Sequence, residues 1–180
     1  MSPARWCWLV VASLVVVVFQ LTIADQLSID GVHAELVWVL PVAAGLSAGP
    51  VAGMAAGFVG GAIADLFLPT PFGLTAFVGV LLGYALGRLG EEGVGDLGGA
   101  AWWVAPGLAA AAGFVAPILY AVGGVALGHH HYLSSSLPYV CVLDSVACAL
   151  LVRPVMRVLG PRLADDGARG GALEPVRGAM

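Results

Sequence analysis

Apolar residues in this chain fall into long runs, and most of its polar residues lie between them. The run 6–23 is interrupted only by Ser13, Gln20 and Thr22. It outlasts the roughly 7–15 residues of a signal-peptide core and is followed by Ala24-Asp25-Gln26 with no small-residue cleavage site, so it reads as a retained first helix. Five more segments follow: 36–48, short and with Pro41 inside it; 51–68; 72–89; 101–127, long, with Pro106 and Pro117 as expected kinks; and 137–159. In the last, Arg153 and Arg157 would reach back to the lipid headgroups. A spanning helix needs about 20 apolar residues, so six spans consume most of the chain and leave short loops. The pattern predicts an all-α integral membrane fold, a compact bundle of about six transmembrane helices forming one domain over 1–159. The remainder, 160–180, is rich in Gly, Asp and Arg of cancelling charge and reads as a disordered cytoplasmic tail.

The charges orient this bundle. With the N-terminus in the cytoplasm, Arg5, Arg88, Arg153, Arg157, Arg162, Arg169 and Arg177 all fall inside, while Asp25, Asp30, Glu35 and the His129-His130-His131 loop fall outside. Those seven arginines are the only basic residues besides histidine, and their one-sidedness is what the positive-inside rule asks. The prediction is N-in and C-in, in a cell's plasma membrane. Removing segments two and three together would leave that parity unchanged. Trp6, Trp8, Trp38, Trp102 and Trp103 lie near the expected span ends, as an aromatic belt would place them.

Composition closes off the other classes. Hydrophobic residues make up 60% of the 180 positions and glycine fills another 26, so roughly three quarters of the chain is apolar. Soluble domains reach about 45–50% by the same count and carry about 25% charged residues, against 10% here. The net charge of −4 offers no basic patch for nucleic acid.

Lipid gives helices no hydrophobic reason to associate, so close packing must come from small residues. Gly49, Gly53, Gly57 and Gly61 recur every fourth residue in segment three, and Gly79, Gly83 and Gly87 do the same in segment four. Both stripes are expected to pack tightly inside the bundle, in part against each other. Asp65 continues the first stripe by one more step and should face protein. Asp144 stands about two turns into segment six. A carboxyl at the bilayer centre costs about 2.5–3.5 kcal/mol on insertion scales, and neither acid has an arginine on its side of the membrane. Each must be protonated, cap backbone groups or reach water. Asp65 precedes the turn Pro69-Thr70-Pro71, whose backbone cannot be helical, so an acceptor role there is reasonable.

Nothing in the sequence points to catalysis, a cofactor or a metal. No phosphate-binding loop, zinc-protease helix, nucleophile elbow or dinucleotide fingerprint occurs. Three adjacent histidines on a short loop lack the geometry and the partners of a stable metal site. Cys141 and Cys148 are seven residues apart on one helix, about 10 Å along its axis and too far for a disulfide, and Cys7 belongs to the other leaflet.

The order of features across 36–90 resembles the rod shape-determining MreD family: Gly49-Pro50-Val51-Ala52-Gly53, then Gly57, Gly60-Gly61-Ala62-Ile63-Ala64-Asp65-Leu66, Pro69-Thr70-Pro71-Phe72-Gly73-Leu74, Gly83-Tyr84 and Gly87-Arg88. The stretch is near a third of the chain. Family members often carry a basic residue at the turn before the third span, where this chain has Ser47-Ala48-Gly49. The resemblance implies a fold similar to the substrate-binding subunits of energy-coupling-factor transporters. It also implies a non-enzymatic membrane subunit of the cell-elongation complex. Such a subunit would bind the scaffold protein MreC and, through it, link to the filament protein MreB, the glycan polymerase RodA and its transpeptidase. Asp65, Pro69, Pro71 and Gly73 would then set the bundle's shape or contact MreC. Self-association is left open. A vitamin-transporter subunit is the alternative; such subunits carry an Ala-xxx-Ala stripe in the first helix, where this chain has Ala12 and then bulky Val16. A proton-linked carrier using Asp65 and Asp144 is a third reading.

Overall fold

The computed structural model describes residues 3–23, 35–67, 72–91, 103–128 and 136–164. Among these there are only helices: α1 (Pro3–Ile23), a 3-10 turn (Leu36–Trp38) running into α2 (Val39–Ala48), α3 (Pro50–Phe67), α4 (Leu74–Leu89), α5 (Val104–Ala126) and α6 (Leu137–Ala164). Punctuation follows local chemistry. Gly49 and Gly128 end α2 and α5 at positive φ, 85° and 87°, where a side chain would be strained. Pro50 opens α3, where its missing N–H costs nothing. Pro106 sits in the first turn of α5 for the same reason and kinks nothing, while α5 runs on as helix through Pro117.

Among the described residues, three helices, α3, α5 and α6, are long and apolar enough to cross a membrane, and the described apolar stretches of the other three are shorter. At 1.5 Å per residue, the 16 residues of α4 reach only about 24 Å. The result is a helical bundle of multi-span membrane character. α2 is its axis: every residue from Val39 to Leu46 is buried, and α3, α4, α5 and α6 all pack on it. α5 pairs with α6, and α1 lies against α3 and the 3-10 turn.

Residue size is sorted in the membrane sense. The buried face of α3 is Ala52, Gly53, Ala56, Gly57, Gly60, Gly61, Ala64 and Asp65. Its exposed face carries Val51, Phe58, Leu66 and Phe67. Small residues let the backbones meet, and large apolar ones are left for lipid.

One boundary and one aromatic differ from the sequence expectation in ways that matter to the packing. α6 continues past 159 to Ala164, because Leu159 and Leu163 bury themselves against Leu9 of α1, Leu40 and Ala44 of α2 and Ala56 of α3. The Arg162 guanidinium also stacks 4.0 Å from the centroid of the Trp8 ring. Thus 160–164 belongs to the bundle; 165–180 lies outside the described residues. Trp38 is not a belt residue: it is fully buried, its ring edge-on to Tyr120 at 6.3 Å. Segment two is enclosed by its neighbours, so its end finds an aromatic partner instead of headgroups.

Candidate functional site

The strongest feature is the seam between α3 and α4. A Cβ built on Gly53 would fall on the Gly83 carbonyl, and one on Gly83 would fall on Gly53. Gly57 meets Gly79 in the same way, Gly61 meets Ala76, and Gly87 meets Pro50. The pairs step along the two helices in opposite senses, as an antiparallel hairpin requires. At each of these steps the added Cβ would meet main-chain atoms of the facing helix. Gly45 of α2, which the four-residue stripes do not include, joins this seam: its Cβ would stand 2.7 Å from the Gly83 carbonyl oxygen. Gly49 does something other than packing. It holds the positive-φ turn from α2 into α3, and its N–H bonds the Gly45 carbonyl at 2.9 Å.

The seam ends in a side-chain cap. Asp65 is 5% exposed. Its Oδ2 accepts the Gly73 N–H at 2.8 Å and the Ala76 N–H at 3.3 Å, and its Oδ1 accepts the Thr75 N–H at 3.3 Å. Gly73, at φ 95°, is the N-cap residue of α4 and brings no capping side chain of its own. Asp65 therefore does from the neighbouring helix what an N-cap aspartate does from within. The carboxylate meets the positive end of the α4 dipole as well as three otherwise orphaned donors. Pro69 and Pro71 lie outside the described residues.

Asp144 caps a second segment start. It has no exposed surface. Its Oδ1 accepts the N–H of Glu35 at 2.7 Å, the residue before the 3-10 turn. From the other side, Gln20 Oε1 of α1 accepts the Val37 N–H at 3.2 Å. Side chains of α6 and α1 thus satisfy two orphan donors at the start of segment two. Among the described residues, the buried second oxygen, Asp144 Oδ2, meets no hydrogen-bond partner, and neither do Ser13 Oγ and Trp38 Nε1. Gly113 of α5, which the sequence reading did not single out, lets α6 approach here: a Cβ on it would fall on the Asp144 carbonyl. The available signal was the small-residue stripe Ala105, Ala109, Gly113, Pro117, Ala121.

Among the described residues no three of His, Cys, Asp and Glu come together to hold a metal ion. Cys141 and Cys148 are buried free thiols and Cys7 is exposed; the histidines at 129–131 lie outside the described residues. A cleft of about 260 Å³ opens where α2 and α4 stop, lined by Gly45–Gly49, Gly90 and Glu91. Comparison of the chain with protein-family models, with curated proteins and with solved structures finds no match in any of the three.

Proposed function

We propose that this chain is a non-enzymatic, multi-pass plasma-membrane subunit of the cell-elongation machinery, similar to the MreD family. It would partner MreC and, through it, act with MreB, RodA and its transpeptidase in lateral peptidoglycan synthesis. The observation that carries the reading is the Asp65 cap at the end of the glycine seam. It makes one rigid corner of the stretch 36–90, and that stretch holds the resemblance. A bundle of this kind offers partners its helix faces and corners rather than a catalytic cleft. The proposal includes six spans with both termini in the cytoplasm and a fold like that of the substrate-binding subunits of energy-coupling-factor transporters. The Asp65 corner then lies on the wall side.

Co-purification tests it. Affinity-tagged protein extracted in mild detergent should bring down MreC, and Gly61→Leu and Asp65→Ala should reduce that recovery. If both variants accumulate in the membrane and still recover MreC at the wild-type level, the corner is not the contact. If the wild type recovers a transporter coupling protein in place of MreC, the vitamin-transporter reading takes over. Thiol labelling of Thr70→Cys from outside the cell checks the orientation.

A further inference from the structure

Asp65 and Asp144 are both buried acids, and what surrounds them differs. Three N–H donors and the positive end of α4 meet the Asp65 carboxyl, enough to compensate a charge. Asp144 has one donor, the Glu35 N–H at the head of a three-residue 3-10 turn. Its Oδ2 is buried and meets no partner among the described residues, and the side chain has no surface for water to touch. The described elements packed there supply no cation. α2 has no titratable side chain, α5 brings the Tyr120 phenol, Gln20 of α1 is uncharged, and the residue ahead of the 3-10 turn is itself an acid, Glu35. On α6 the nearest cation in sequence is Arg153, nine residues and about 13 Å further along the axis. Burying an uncompensated charge costs far more than burying a neutral acid with one hydroxyl unbonded.

The joint made by this carboxyl has little behind it. Asp144 ties the start of segment two to α6 at Glu35, and Gln20 ties it to α1 at Val37. Cys141 and Cys148 stand one turn to either side of Asp144, three residues before it and four after, so all three share one face of α6. All three are buried. Whatever parts this face from its neighbours wets the acid and the two thiols together.

We propose that Asp144 is a proton-binding latch: with a proton on its carboxyl the start of segment two is closed on α6, and loss of that proton to water parts the two. The closed corner binds the proton and the open, hydrated corner does not, so closure is favoured at low pH and lost as pH rises. Asp65, fully bonded, takes no part. The latch does not rest on the choice of protein partner made above.

The two buried thiols report the latch without added probes. In the full chain carrying Cys7→Ser, in detergent, maleimide labelling of Cys141 and Cys148 is followed across a pH series. Each rate is divided by that of the unfolded protein at the same pH, which removes the intrinsic rise of thiol reactivity and leaves a protection factor. Protection in the wild-type background should fall about 10-fold between about pH 6 and pH 9, and Asp144→Asn, which has no proton to lose, should hold its protection throughout. Glu35→Gln removes the neighbouring acid and should move the fall to lower pH. Infrared spectra give a second readout that needs no variant to fold: the C=O stretch of a protonated carboxyl should be present at the acid end and vanish over the same pH range as the protection. The latch is refuted if protection is flat in the wild-type background, if it falls equally in Asp144→Asn, or if the protonated-carboxyl band is missing at the acid end. A band that titrates while protection stays flat would leave Asp144 a proton site and overturn its coupling to the corner.

Discussion

Two buried aspartate carboxyl groups do the same job at two corners of this bundle, under different conditions. Asp65 caps the start of α4 with both oxygens, on three N–H groups 8 to 11 residues away in sequence. Asp144 caps the start of segment two with one oxygen, on a single N–H 109 residues away, and leaves its other oxygen without a partner. The first corner is backed by a seam in which backbone meets backbone at four successive steps of the α3–α4 pair. At the second, three separate elements, α1, the 3-10 turn and α6, are joined by two side chain-to-backbone bonds. A fully used carboxyl group on a rigid hairpin is a fixed structural part. A half-used one joining distant helices is where the bundle has least redundancy.

Substitutions can break or sharpen this contrast, and thermal unfolding read through the buried thiols Cys141 and Cys148, in a Cys7→Ser background, is a suitable measure. The largest effect belongs to the seam. Gly57→Leu would drive a side chain into the Gly79 backbone, where nothing can give way, and should yield no folded protein at all. Asp65→Ala should come next, destabilising by about 2–3 kcal/mol as three donors lose a charged acceptor. Asp65→Asn keeps one acceptor oxygen and should cost roughly half as much. At the other corner, Asp144→Ala should cost about 1–2 kcal/mol, the loss of one buried bond. Asp144→Asn keeps the bonded Oδ1 and should stay within about 1 kcal/mol of wild type. Equal costs for Asn at the two sites would erase the distinction drawn above. Smallest of all, Gly107→Ala meets open space on a helix and should leave the midpoint unchanged or raise it by the equivalent of up to about 1 kcal/mol.

The four-residue glycine stripes and the acid that extends the first of them stand plainly in the sequence, because helical periodicity puts such residues on one face. Their partners do not. That Gly53 faces Gly83 and Gly61 faces Ala76 depends on where the hairpin turns, and that Gly49 is a turn residue while Gly45 is a seam residue depends on where α2 stops. Trp38 shows the limit from the other side: an aromatic at a span end could face headgroups or core, and only the enclosure of α2 by four other helices decides.

By itself, then, the sequence determined the solvent: an apolar excess that water could not carry, cut into helix-length runs with small residues on the inner faces. It also placed Asp65 beside a proline turn that would need an acceptor. Tertiary structure alone decided that Asp144 reaches Glu35, that α6 runs on to bury Leu159 and Leu163, and that α2 and α4 end together around a polar cleft. Periodicity is a property of one helix and can be read along a chain. Which faces meet is a property of pairs, and hydrogen bonds between residues far apart in sequence have no local signature to read.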